Sequence, residues 1–105
     1  MGNHHYAIKD FEKAIEIERH YALSHFHMGV SKLKLREFDE AIACFTDSDN
    51  LEENPAVYDG LGCCYHRKKD YDEAIQYFNK AISAKPYNVE FLKNRASCYY
   101  DMSQF

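Results

Sequence analysis

Small and apolar residues recur along this chain with the spacing of helix faces, most clearly between residues 71 and 84. There Ala74, Phe78, Ala81 and Ile82 occupy positions i, i+4, i+7 and i+8, which lie on one face of an α-helix. Similar spacing elsewhere predicts an all-α chain. The predicted helices are six and span about residues 3–18, 22–35, 38–50, 55–68, 71–84 and 89–102.

Residues that start or stop helices lie at several of these boundaries. Asn54 is a suitable N-cap, and Pro55 after it suits the first helical position. Asp70 is predicted to cap the next helix, with Glu73 reaching back to it three residues later. Pro86 prevents that helix from continuing and biases the residue before it away from helical geometry.

An ordered series of small and aromatic residues recurs along the chain at a nearly constant interval of about 34 residues. The most complete copy is Tyr58, Leu61, Gly62, Tyr65, Tyr71, Ala74, Phe78, Ala81 and Pro86. Its upstream matches, one position short of that interval, are Gly29, Phe38, Ala41 and Phe45. Its downstream matches, at the full interval, are Ala96, Tyr99 and Phe105. The shorter upstream interval predicts a shortened loop near residues 49–54.

The first segment of the chain repeats part of the same series. It lies 67 residues before the most complete copy, which is one residue less than two intervals of 34. Its matches to the second part of the series are Ala7, Ile8, Phe11, Ala14 and Ile15. The series resembles the tetratricopeptide repeat (TPR), a unit of about 34 residues with an aromatic, Leu-Gly, Tyr, and later Ala, Phe and Pro. Tyr58 takes the place of the usual Trp.

The TPR resemblance implies a helix-turn-helix solenoid, here a right-handed superhelical fragment of about six antiparallel helices. In this register residues 1–21 hold the second helix of a partial repeat, 22–54 and 55–88 are repeats, and 89–105 begin another. Phe105 falls on the first core position of a further helix. We therefore expect the chain to be an excerpt from a longer array.

Composition narrows the possible partners. The chain carries 13 Lys and Arg against 17 Asp and Glu, a formal charge of −4, whereas a phosphate-binding surface needs clustered basic residues. No apolar stretch approaches the roughly 20 residues needed to cross a bilayer, and no signal peptide is apparent. We expect no nucleic-acid or membrane partner. RNA-binding helical repeats have a similar length, but the acidic balance and the small and aromatic series favour TPR.

The four cysteines, Cys44, Cys63, Cys64 and Cys98, have no disulfide-framework spacing. Free thiols indicate a reducing compartment, so we expect an intracellular, cytoplasmic protein. Cys63 and His66 share a helix face, but no second ligand pair complements them as a zinc site would require. No phosphate loop or nucleophile motif is present, and we predict no metal, no cofactor and no enzymatic activity.

The TPR resemblance also implies where a partner binds, because the first helix of each repeat lines the concave surface. Carried onto this sequence, the candidate peptide-binding residues are Leu23, Phe26, Val30, Leu33, Asp59, Cys63, His66, Arg67, Lys93, Ser97 and Tyr100. Those before residue 34 are apolar and the later ones are mixed, which suits a ligand with one apolar anchor and a polar extension.

Two interpretations of the apolar stripe formed by Leu23, Phe26, Val30 and Leu33 remain open. It either lines the groove or contacts an upstream helix, in which case its exposure here favours self-association. We therefore hold two hypotheses. The first is a protein-interaction module or scaffold, and the alternative is a structural solenoid segment that associates through Phe11, Phe26 and the final helix.

One function of some TPR proteins can be tested directly against the sequence. They hold the C-terminal carboxylate of heat-shock chaperones with a clamp of Lys, Asn, Asn, Lys and Arg. In the present register those positions hold Phe26, Val30, Gly60, Glu90 and Asn94, and none matches. We predict that these repeats do not bind chaperone tails.

Overall fold

The computed structural model describes residues 3–104, and within that range the chain forms five α-helices and no strand. The helices are α1 (Asn3–Lys34), α2 (Phe38–Leu51), α3 (Pro55–Arg67), α4 (Tyr71–Ala84) and α5 (Val89–Met102). The all-α prediction is confirmed. Phe105, predicted to open a further helix, lies outside the described residues.

The predicted separation of helices 3–18 and 22–35 is wrong, because α1 is one continuous helix of 32 residues. The six-helix count is therefore wrong as well. The segment between the two predicted helices is Arg-His-Tyr at 19–21, which contains no Pro, no Gly and no short polar cap. Two later boundaries have such residues, the Asn54-Pro55 pair and Pro86, and there the helices do end. The α1–α2 turn at 35–37 has none of them, and α1 ends there with Arg36 in the left-handed conformation.

The four later helices agree with the predicted spans within one residue at each end. Asn54 caps α3 as predicted, since its Oδ1 accepts a hydrogen bond from the Ala56 amide at 3.0 Å. The predicted cap at Asp70 is wrong: its side chain makes no cap hydrogen bond. Asn88, which the sequence did not single out, caps α5 by accepting from the Phe91 amide at 3.0 Å. The loop before α3 has three residues and the loop before α5 has four, as the shorter repeat interval predicted.

The turns α1–α2 and α3–α4 share one backbone device. Arg36 and Lys69, which occupy equivalent positions in the two repeats, both adopt the left-handed conformation, with φ of 64° and 68°. In each turn the amide of the next residue donates to a carbonyl five positions earlier at 2.9 Å. This arrangement satisfies carbonyl groups at the end of the first helix and reverses the chain.

Glycine and phenylalanine interlock at the centre of the stack. Phe45 of α2 lies between Gly29 and Gly60, where an added Cβ would come within 2.7 Å and 2.6 Å of its ring. Phe78 of α4 lies against Gly62 in the same way. The two buried clusters consist of Ala41, Phe45, Val57, Leu61 and Cys64, and of Ala74, Phe78 and Cys98. Gly62, Ala74 and Phe78 are therefore core residues, as predicted, whereas the members of the series at both ends of the chain are exposed, namely Ala7, Phe11, Ala14, Ala96 and Tyr99.

Only the second half of α1 belongs to the packed array. The Ser48 hydroxyl of α2 donates to the Ala22 carbonyl at 2.8 Å, and Ala22 is buried, whereas residues 6–21 are all exposed. We call residues 6–21 the α1 extension. Because it projects from the array, the molecule is elongated, with dimensions of 67 × 28 × 18 Å.

Candidate functional site

The candidate residues lie on α1, α3 and α5, and α3 contacts both of the other two helices. In the predicted repeat register α1, α3 and α5 hold equivalent positions, and this register predicts that the candidates form rows that cross the three helices. The rows are Phe26, Asp59 and Lys93; Val30, Cys63 and Ser97; and Leu33, His66 and Tyr100. We call the surface made by these nine residues, with Leu23 and Arg67, the α1–α3–α5 face.

On α1, three of the four apolar candidates also contribute to the core. Phe26, Val30 and Leu33 are half-buried and pack against the cluster that contains Phe45. The rings of Phe26 and Phe45 lie 5.9 Å apart. Leu23 is more open, with 51% of its surface exposed. The side of the face formed by α1 is therefore made of apolar side chains that are held in place by the core and only partly exposed to solvent.

Asp59 on α3 is held by Asn94 on α5. The Asn94 amide nitrogen donates to the two carboxylate oxygens of Asp59 at 3.0 and 3.2 Å. Burial raises the pKa of Asp59, the hydrogen bond from Asn94 opposes that rise, and the nearby Glu90 carboxylate adds to it. Asp59 is thus a positioned, half-buried acceptor rather than a freely solvated charge.

A second bridge between α3 and α5 lies two helical turns further along. His66 Nε2 and Asp101 Oδ2 are 2.6 Å apart, and His66 is the more buried of the two side chains. Both bridges, Asp59 with Asn94 and His66 with Asp101, join residues 35 apart in sequence. These paired bridges fix α3 and α5 side by side, with a polar seam between them.

Cys63 lies between the two bridges and is half-buried. Burial raises the pKa of its thiol to about 12, and the nearby Asp59 carboxylate contributes to the rise. A thiol with so high a pKa is almost entirely protonated at neutral pH, and the thiolate is the reactive form. Cys63 therefore serves as a small packing residue at the floor of this face. All four cysteines are free.

The remaining candidates are open to solvent. Arg67, Lys93, Ser97 and Tyr100 are all exposed, and Tyr100 has 68% of its surface accessible. Two cations, a hydroxyl and a phenol thus line the α5 side and the end of α3. The α1–α3–α5 face consequently changes across its width from half-buried apolar groups on α1 to exposed polar groups on α5.

The sequence did not single out the α3–α5 bridges. In the sequence Asn94 stands out only as a chaperone-clamp position, whereas in the structure it donates to Asp59. One sequence feature could have indicated these bridges: each joins two polar residues that lie 35 apart, one more than the repeat period, on α3 and α5. Within residues 3–104, His, Cys, Asp and Glu side chains form no group of three that could hold a metal ion. None of the helices described for this chain is both long and apolar enough to span a membrane.

Known proteins resemble this chain in sequence and in fold. Residues 60–88 match the tetratricopeptide repeat family model. The BBSome complex member BBS4 of Bos taurus is 27% identical over 97% of this chain and 20% of its own length. The mitochondrial import receptor subunit TOM70 of Saccharomyces cerevisiae is 28% identical over 81% of this chain and 14% of its own length.

The fold comparison agrees with the sequence comparison. The crystal structure of yeast Tom70 superposes with a TM-score of 0.70 and 29% identity, over 74% of this chain and 16% of that one. This chain thus spans about a fifth or less of the length of these relatives. The matched repeat at residues 60–88, the helical stack and the glycine–phenylalanine core agree in supporting a tetratricopeptide repeat protein.

Proposed function

We propose that the α1–α3–α5 face binds a segment of a partner protein and that the chain acts as an interaction module or scaffold. The observation that carries this proposal is the composition of the face. Its α1 edge offers Phe26, Val30 and Leu33 with their inner surfaces fixed by the core, and its α5 edge offers exposed Lys93 and Tyr100. A rigid apolar strip beside a polar strip favours a ligand with an apolar anchor and a polar flank.

The polar seam between α3 and α5 limits the ligand further. Asp59 already accepts from Asn94, and His66 already pairs with Asp101, so neither side chain needs a ligand to be satisfied. Lys93 and Arg67 are exposed cations at opposite ends of the face. We propose that the polar flank of the partner carries carbonyl or carboxylate groups that reach these cations, while its apolar anchor lies toward Leu23 and Phe26.

The relatives support the general class of function. BBS4 is a member of a complex, TOM70 is an import receptor subunit, and another relative is the Hsp70-Hsp90 organizing protein 1 of Arabidopsis thaliana. Proteins of this family are adaptors as a rule, which supports a non-catalytic role. None of the residues at the chaperone-clamp positions of this chain matches the clamp, which argues against the C-terminal tail of a chaperone as its ligand. The four free thiols support a cytoplasmic location.

Affinity capture with surface variants tests the proposal. Tyr100→Glu combined with Ser97→Glu adds negative charge to the face at exposed positions, so the fold is expected to remain intact. Tyr87→Glu is the matched control, because Tyr87 is 92% exposed and lies in the α4–α5 loop. We expect the double variant to lose proteins that the wild type and Tyr87→Glu both retain. Identical captured proteins from all three would contradict the proposal.

A second candidate function is self-association. The observation that favours it is a group of large apolar side chains exposed on one side of the α1 extension, Ile8, Phe11 and Ile15, which lie within about 60° of one another around the helix. Contiguous exposed apolar groups of this kind mark protein contacts. It involves a different part of the molecule, and the two functions are compatible.

A further inference from the structure

A surface cleft lies between the α2–α3 loop and the last two turns of α4. Both elements are in the middle of the described array, with packed helices before and after them. Two half-buried tyrosines, Tyr58 of α3 and Tyr77 of α4, pack against the core beside it. The cleft has a volume of about 530 Å³ and is lined by Glu53, Tyr58, Asn79, Lys80, Ser83 and Ala84.

The cleft already holds a cation that belongs to the chain itself. Lys80 Nζ lies 5.7 Å from the ring centroid of Tyr58 and 5.3 Å from that of Tyr77. At such distances the negative face of an aromatic ring attracts a cation. Lys80 is exposed and forms no ion pair with a described residue. Its ammonium group therefore indicates the kind of group that the two rings hold, and only a weak attraction keeps it there.

The surroundings of Tyr58 are negatively charged. The Tyr58 hydroxyl donates to Glu53 Oε1 at 3.3 Å. Burial raises the pKa of Tyr58 to about 12, and the nearby carboxylates of Asp49 and Glu53 add to the rise. The cleft is also bordered by the last turn of α4, where the helix dipole is negative. This end of the cleft thus has two carboxylates and a negative helix end against the single ammonium group of Lys80.

The opposite edge of the cleft has a cation of its own. Arg95 of α5 donates from Nη1 to Asn79 Oδ1 at 3.0 Å. This bond satisfies the Asn79 carbonyl and brings a positive charge to that edge. An additional cation is therefore attracted to the end of the cleft formed by Glu53 and Tyr58.

We propose that this cleft binds an arginine side chain of a partner protein, and that Lys80 is an internal stand-in which the incoming guanidinium displaces. A guanidinium suits the site because it stacks on aromatic rings, is weakly hydrated and pairs with a carboxylate through two N–H groups. In this arrangement it stacks on Tyr58 and pairs with Glu53, while Lys80 turns into solvent. The proposal goes beyond the partner-binding function, because none of these residues belongs to the α1–α3–α5 face.

NMR titration of the 105-residue chain with the blocked tripeptide acetyl-Gly-Arg-Gly-amide tests the proposal. We expect the amide signals of Glu53, Tyr58 and Ser83 to shift, with a Kd on the order of 10 mM. Lys80→Ala vacates the two rings and removes a like charge, so it should tighten binding by about twofold to fivefold. Lys85→Ala is the matched control, because it removes the same charge from an exposed position just after α4 that does not line the cleft. It should leave the Kd almost unchanged.

Variants of the cleft and of the peptide test the two groups that hold the guanidinium. In the Lys80→Ala background, Tyr58→Leu should abolish the shifts and Glu53→Gln should weaken binding by about twofold to fivefold. Circular dichroism checks that both variants stay helical. If Tyr58→Leu does not, Glu53→Gln, at an exposed position, decides. The peptide with lysine in place of arginine should bind more weakly, because an ammonium is more strongly hydrated.

Three results would overturn the proposal. The first is the absence of shifts around Tyr58 when the peptide is added to Lys80→Ala. The second is equal tightening by Lys80→Ala and Lys85→Ala, which would indicate general attraction of a cation to an acidic chain. The third is a lysine peptide that binds as tightly as the arginine peptide.

Discussion

Gly62 and Phe78 lie in direct contact, and an added Cβ at position 62 would come within 2.6 Å of the Phe78 Cε1 atom. Real Cβ contacts are essentially never so short, and the atom to be displaced belongs to a ring that is completely buried. The contact therefore sets how closely α3 and α4 approach.

The first prediction concerns that contact. Gly62→Ala should lower the free energy of unfolding by roughly 1–2 kcal/mol, because overpacking outweighs the gain in helix propensity. Chemical denaturation measures the change. Phe78→Leu provides a control in a double-mutant cycle: if the clash is the cause, Gly62→Ala should cost less in the Phe78→Leu background. Equal costs in both backgrounds would show that the ring is not the obstacle.

The second prediction concerns the turn between α1 and α2. Arg36 has a φ of 64°, a conformation that costs a residue with a Cβ about 1 kcal/mol and costs glycine little. Arg36→Gly should therefore stabilise the protein by about 0.5–1 kcal/mol, measured by thermal or chemical unfolding. Ala43→Gly, at an exposed position in the interior of α2, is the contrasting control and should destabilise it. A loss of stability in Arg36→Gly would mean that the turn has another conformation.

The third prediction concerns the place where α1 leaves the array. Ser48 stands where the family pattern has Ala, so a consensus argument favours Ser48→Ala as a stabilising change. The buried hydrogen bond from Ser48 to the Ala22 carbonyl, 2.8 Å long, indicates the opposite. We expect Ser48→Ala to lower the free energy of unfolding by about 0.5–1.5 kcal/mol. Ser31→Ala, an exposed change on α1, should stay within about 0.5 kcal/mol of the wild type; a stabilised Ser48→Ala would refute the role of this bond.

The fourth prediction concerns pH and Asp59. The pKa of Asp59 is raised in the folded protein, so above its unfolded value near 3.8 the folded state binds more protons than the unfolded state. The ionisation of Asp59 therefore lowers the free energy of unfolding as the pH rises from 3.8 through the pKa of Asp59 in the folded protein. Asp59→Asn removes that contribution.

The measurement for Asp59 is unfolding as a function of pH. The stability of Asp59→Asn relative to the wild type should increase as the pH rises through the acidic range and then level off. Asp47→Asn, at an exposed position on α2, corrects for the general effect of losing a carboxylate. A difference that stays flat with pH, or that favours Asp59 at neutral pH, would contradict the burial argument.

Much of the fold was predictable because its determinants are local or periodic. Gly62, Ala74 and Phe78 recur at fixed spacing and are indeed core residues, and Asn54 with Pro55 fixes the start of α3. The continuity of α1 was not predicted, because the repeat register indicates where a boundary should fall and not whether the residues there break a helix. At 19–21 they do not.

The candidate site was less predictable than the core. The register placed its residues on α1, α3 and α5, but the burial of Phe26 against Phe45 depends on packing between helices. The bond from Asn94 to Asp59 joins residues 35 apart, and its geometry depends on how α3 and α5 are offset. Neither property follows from the residues of one helix alone.

Photo-crosslinking tests most directly whether the α1–α3–α5 face is the partner-binding surface. A benzophenone amino acid is placed at Tyr100, which is exposed on the face, or at Tyr87, which is exposed in the α4–α5 loop. Each protein is irradiated with cell extract and compared with a sample that also contains excess unlabelled wild-type chain. We predict a discrete covalent adduct from position 100 that the competitor suppresses, and none from position 87. Adducts from position 87 alone, or equal adducts from both, would contradict the account.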